Sequence, residues 1–163
     1  MEAERFNQFV QLIESVHKSV NKIKLSIAPT LGVKSVHVFW LYELLAHPEG
    51  LTAATLASKS KIDRSLISRE VEELRAGGYI EVAIGGGEKR KNYNARIRLT
   101  EQGRELAQTI TGYAMAAQLA ADSGVSEEEL QAFYTTLRKL SNNLSQLAEQ
   151  PKAIKAAKPG ILY

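Results

Sequence analysis

The sequence has no cysteine. That single absence excludes disulfide frameworks, thiolate zinc sites and thiol redox switches. Histidine is scarce as well: only His17, His37 and His47 are present. No two of them stand at the i, i+4 spacing that puts a ligand pair on one helix face, so a metal site would have to be assembled across helices. The expectation is no metal and no cofactor. No apolar run approaches the ~18 residues of a membrane span. The opening MEAERFNQFVQL is acidic and amphipathic, unlike a basic stretch leading into an apolar one. A cytoplasmic protein with no membrane partner is therefore expected. Catalytic motifs are missing too. There is no nucleophile elbow, phosphate-binding loop or HExxH, and the Gly85–Gly87 triplet falls within a hairpin instead of between a strand and a helix. Glu70, Glu72 and Glu73 read as solvent-facing carboxylates of a helix, and nothing points to an enzyme.

Charge is nearly balanced, with 21 Lys and Arg against 18 Asp and Glu in 163 residues. So small an excess says less about a polyanionic partner than the places where the charges gather. Apolar residues at Phe6, Val10, Ile13, Val16, Val20, Ile23 and Ile27 step by threes and fours, which predicts a long amphipathic helix ended by Pro29 and Gly32. A second helix, from about Lys34 to Ala46, is apolar nearly all round and should be buried on most sides. After the turn HPEG, the stretch LTAATLASKSK predicts a short helix with Thr52 as N-cap and Leu56 and Ala57 facing inward. Asp63 then caps a helix from Arg64 to about Ala76, with Leu66, Ile67, Val71 and Leu74 inward. Gly77 and Gly78 supply the left-handed conformation that stops it.

The period then changes to two. Ile80, Val82 and Ile84, and later Ala95, Ile97 and Leu99, alternate with polar or small residues and predict two strands around a projecting loop, GGGEKRKNYN. Thr100 caps a long helix to about Ala121. Ser126 and Glu129 form a capping box for a last helix whose seam is Leu130, Phe133, Leu137, Leu140, Leu144 and Leu147. The tail PKAIKAAKPGILY carries Lys152, Lys155 and Lys158 and no acid.

Two short helices joined by a tight turn and followed by a basic hairpin suit DNA. The second helix fits the major groove, and its first turns reach base edges. On that end stand Arg64, Ser65, Ser68 and Arg69, approached by Lys59 and Lys61. The loop adds Lys89, Arg90 and Lys91, and the second strand adds Arg96 and Arg98. A basic loop tip beside such a helix is placed to enter the neighbouring minor groove. Taken singly, each of these residues is more often solvated surface than contact; the order of the elements carries the reading. The architecture expected is mainly α with a small β-hairpin wing, a winged helix-turn-helix with long N- and C-terminal dimerisation helices. Its parts divide at 1–30 (dimerisation helix), 34–100 (DNA-binding region), 101–150 (dimerisation helices) and 151–163 (basic tail).

LTAATLASKSKIDRSLISREVEELRAGGYIEV, followed by the basic wing and RLTEQGRELA, resembles the MarR family of transcription regulators. The likeness covers roughly residues 34 to 121 by motif and the whole chain by architecture. It implies a homodimer with interlocked terminal helices whose two wings grip one palindromic operator in double-stranded DNA. It also implies a small aromatic effector that releases the DNA, as in a ligand-responsive repressor. An effector pocket in such a protein would draw on His37, Trp40 and Tyr113, residues that core packing explains equally. The family usually has an Asp-x-Arg pair in the wing, whereas the corresponding residues here are Lys91 and Tyr93, with Arg90 and Glu88 nearby. Two other readings stay open: a winged-helix module that binds protein without specific DNA binding, and a small-molecule enzyme.

Overall fold

The computed structural model describes residues 2–60, 63–83 and 95–150, the side chains of Glu2, Ala3 and Arg64 excepted. Among the described residues, six α-helices and three short strands follow in the order α1 (Glu2–Ile27), α2 (Ser35–Leu45), β1 (Leu51–Thr52), α3 (Ala53–Ser60), α4 (Arg64–Ala76), β2 (Ile80–Ala83), β3 (Arg96–Leu99), α5 (Glu101–Ala121) and α6 (Glu127–Glu149). Two compact units result. One is Val10–Ala116, and the other joins Met1–Phe9 to Ala117–Tyr163, of which 151–163 lie outside the described residues.

Within Val10–Ala116 the core is built where the apolar spacing placed it. Trp40, Leu41 and Leu44 of α2 meet Leu56 and Ala57 of α3, Ile67 and Leu74 of α4, Ile80, Ile97 and Leu99 of the strands, and Ala107 and Ile110 of α5. Proline and glycine end α1 by way of a single 3-10 turn, Ala28–Leu31. Pro29 sits in its first positions, and Gly32 closes it at φ 68°. All four helix caps read from sequence form as expected. Thr52 Oγ1 accepts from the Thr55 N–H at 3.1 Å, Asp63 Oδ1 from Ser65 N–H at 2.9 Å, and Thr100 Oγ1 from Gly103 N–H at 3.0 Å. The fourth, the capping box, has both of its bonds, Ser126 N–H to Glu129 and Glu129 N–H to Ser126.

The wing differs from the two-strand expectation. Thr52 belongs to a strand of its own, and the sheet has three strands in the order β1-β3-β2, with Leu51 opposite Ile97 and Ile80 opposite Leu99. A two-residue strand offers no alternation to read, so periodicity could not find it. Only one of the two glycines after α4 is left-handed. Gly77 has ordinary helical torsions, while Gly78 takes φ 77°. Ile84 and the loop after it lie outside the described residues.

In the other unit, α6 has no buried residue, and Phe133, Tyr134, Leu140, Leu144 and Leu147 stand exposed along it. The Phe133 and Tyr134 rings meet edge to face at 5.3 Å, and Gln118 donates to the Tyr134 hydroxyl. No helix among the described residues is long and apolar enough to cross a membrane.

Candidate nucleic-acid interface

Helix α4 is two-faced. Ile67, Glu70 and Leu74 are buried against α2, α3 and the sheet, while Ser65, Ser68 and Arg69 point to solvent. The polar flank therefore lies on the first half of the helix, where a groove-reading helix needs it. The inward set differs from the sequence reading in two residues. Leu66 was expected inward and is 48% exposed. At about 100° per residue it stands a quarter-turn off the line through Ile67, Val71 and Leu74. Glu70 was expected in solvent and is buried in its place.

The buried carboxylate is matched from α2. Lys34 occupies the N-cap position of α2 without capping it, and a cation is unfavourable beside a helix N-terminus. Its ammonium reaches instead to Glu70, at 3.1 and 3.2 Å, and to Glu73. His37 Nε2 lies 2.8 Å from Glu70 Oε2. Burial pushes the His37 imidazole below its ordinary value against the opposing pull of Glu70. At neutral pH the ring is uncharged, and Lys34 is the charged partner of the carboxylate. Hydrogen bonding to Glu73 holds the Lys34 ammonium above its usual range. Glu73 in turn accepts from Arg69 Nε at 3.2 Å. A chain of polar contacts thus runs from the α2 core to an outward-facing arginine of α4.

The remaining candidate contacts are placed unevenly. Lys59 is exposed but already paired with Glu43 of α2 at 2.7 Å. Arg96 donates to the Gly50 carbonyl at 2.7 Å and Arg98 to the Glu49 carbonyl at 3.2 Å, so both β3 arginines lean over the turn before β1. Each spends only part of its five donors there. Lys61, Lys89, Arg90 and Lys91 lie outside the described residues, as does the Arg64 side chain. Of the proposed effector contacts, Trp40 has no exposed surface and its Nε1 donates to Ser60 Oγ at 3.1 Å, while His37 is 4% exposed. Tyr113 is half-exposed on α5.

The Asp63 cap sets a pH dependence at the start of α4. The Ser65 N–H holds its carboxyl below the ordinary aspartate range. A carboxyl depressed by folding stabilises the native state above its unfolded pKa, and that contribution is lost as pH falls through the folded value. Asp63→Asn keeps an acceptor but cannot titrate. The melting-temperature gap between the wild type and Asp63→Asn is expected to narrow as pH falls from about 5 to about 2. A gap constant across that window would show that the cap does not act through its charge.

These features, a helix-turn-helix packed on a three-stranded wing with a polar α4 flank, have close parallels. A sequence profile of the MarR family matches residues 31–91. Over that span the chain is similar to the MarR family. Among solved structures, a MarR family transcription regulator superposes with a TM-score of 0.76 at 25% identity, covering 91% of this chain and 95% of its own. A MarR family transcriptional regulator from Silicibacter pomeroyi gives 0.70 at 24%, over 81% of this chain and 86% of that one. A MarR family protein from Listeria monocytogenes, complexed with 26mer DNA, gives 0.72 at 21%, over 91% and 94%. No curated protein matches the sequence. The MarR-family likeness accounts for α2 through the wing and leaves the particular side chains of α4 to be read from this chain.

Proposed function

We propose that the chain is a DNA-binding transcription regulator that works as a homodimer on a palindromic operator, a repressor released by a small aromatic effector. The observation that carries the DNA reading is the outward flank of α4, with Ser65, Ser68 and Arg69 exposed on its first half while the opposite face is locked into the core. Leu66, half-exposed beside them, adds an apolar group of the kind that meets a thymine methyl. Support comes also from the Listeria monocytogenes relative, whose structure holds DNA. Dimerisation is supported by the α6 seam, a row of large apolar groups that its own unit leaves exposed. Such rows mark interfaces, and a two-fold reader gains register by spanning half-sites ~34 Å apart. Tyr113 is the one proposed effector contact that already offers surface.

Fluorescence anisotropy against DNA from the upstream region of its own gene and a shuffled control, over a salt series, tests this. The native fragment should bind tighter at every salt concentration, and affinity should fall by ~10³–10⁵ between about 50 and 200 mM salt. Arg69→Ala is expected to cost about 1–3 kcal/mol of binding if the guanidinium reads a base, or to flatten the salt slope by about one if it meets a phosphate. Leu140→Glu with Leu144→Glu should give a folded monomer with weakened DNA binding. Equal, weak binding of both fragments would discard the regulator reading in favour of a winged helix that binds protein.

A further inference from the structure

We propose that His37, Glu70 and Glu73 form a site for a divalent metal ion of the zinc class, a site that the Lys34 ammonium fills when no metal is there. The sequence offered no histidine pair and no cysteine, so any site had to be assembled across helices, and α2 and α4 do this. Glu70 and Glu73, one turn apart on α4, present carboxylate oxygens toward His37 on α2, and one ligand atom from each residue lies within 4.8 Å of the other two. His37 Nε2 and Glu70 Oε2 are already 2.8 Å apart.

The donor set decides the class of ion. Imidazole nitrogen and carboxylate oxygen are both zinc ligands, at ~2.0–2.2 Å, whereas magnesium and calcium take oxygen alone. Burial favours the neutral imidazole that a metal needs, and the Nε2 proton now held by Glu70 moves to Nδ1 when the ion binds. Bringing the three donors around one ion requires only a small shift of Glu73, the more exposed of the two carboxylates. His37 and Glu70 form the buried wall, and three protein ligands leave a fourth position for water. Lys34 shows that the spot between the carboxylates takes a cation: its Nζ touches both, and its side chain is 45% exposed, free to swing out when a doubly charged ion arrives.

Occupancy has a consequence for the DNA face. Glu73 also holds Arg69 at 3.2 Å. A metal that recruits Glu73 competes for that carboxylate and frees the guanidinium. This coupling rests on the DNA reading above; metal binding does not.

The test is Zn²⁺ titration of the full chain against a chromophoric chelator, without DNA. One ion per chain is expected, and Lys34→Gln should tighten binding because the competing ammonium is gone. Glu73→Gln, exposed enough to leave the fold intact by circular dichroism, should weaken it on the order of tenfold or more. His17→Gln with His47→Gln should change nothing. The site is overturned if neither the wild type nor Lys34→Gln takes up zinc, or if uptake is indifferent to Glu73→Gln. Anisotropy with DNA then reads the second step. Zinc should alter the affinity of the wild type and leave that of Glu73→Gln unaltered; zinc binding with no change in DNA affinity keeps the site and discards the coupling.

Discussion

Gly103→Ala should destabilise the protein by more than about 3 kcal/mol, lowering the melting temperature by more than about 6 °C. Helix propensity alone predicts the reverse, since alanine is better than glycine inside a helix by about 1 kcal/mol. Gly103 lies in the first turn of α5, pressed against the start of β2. A Cβ there would fall 1.8 Å from the Tyr79 carbonyl oxygen and 2.8 Å from its carbon. Both are backbone atoms, so no rotamer change relieves the clash, and α5 must move away from the sheet. That movement breaks the joint between them, in which Thr100 N–H donates to Tyr79 O at 3.1 Å and Thr100 Oγ1 donates to Gly78 O at 2.6 Å. Gly112 on the same helix is the control, because a Cβ there meets nothing within 4 Å. Gly112→Ala should stabilise by about 0.5–1 kcal/mol. Thermal unfolding of the two variants reads the opposite signs, and a shared sign would mean that the Tyr79 contact relaxes without cost.

The same joint shows how much of this fold the sequence disclosed. The string RLTEQG was legible as a cap and as part of a family resemblance, but the need for its glycine was not, because the clashing atom belongs to Tyr79, just ahead of β2 and more than twenty residues earlier. Periodicity located every helix, and the alternation of Ile80, Val82, Ile97 and Leu99 located the wing. It missed β1, whose two residues gain strand character only from pairing with Ile97 and Arg96. On α4 the pattern sorted Ile67 and Leu74 correctly and exchanged Leu66 for Glu70. Residue type argued for the leucine inside, but the buried position faces His37, and a carboxylate there is satisfied by groups from another helix. Such a partnership between residues more than thirty apart leaves no local signal. Of the DNA-facing candidates, Ser65, Ser68 and Arg69 were legible because they are what remains when the inward face is removed. The engagement of Lys59 with Glu43, and of Arg96 and Arg98 with the turn at Glu49 and Gly50, was not.

Trp40→Ala is expected to cost about 3–5 kcal/mol, on the scale of losing a fully buried aromatic ring. Trp40 has no exposed surface and sits among Leu41, Leu44, Leu56 and Leu74, in the core that α2 shares with α3 and α4. Its indole N–H donates to Ser60 Oγ, and that hydroxyl donates to the Leu56 carbonyl at 2.6 Å. The ring therefore both fills the core and fixes the last residue of α3, three residues ahead of the Asp63 cap of α4. Trp40→Phe separates the two roles: it keeps most of the apolar volume and deletes the donor. A loss of about 1–2 kcal/mol is expected for it, one hydrogen bond plus a modest cavity. Because Trp40 is the only tryptophan, the wild type reports its burial directly, by blue-shifted emission shielded from acrylamide until the protein unfolds. The variants are followed by circular dichroism. If Phe proved as damaging as Ala, the bond to Ser60, and not the filling of the core, would be what holds α3 in place; an Ala variant within about 1 kcal/mol of wild type would show that the core collapses around the gap.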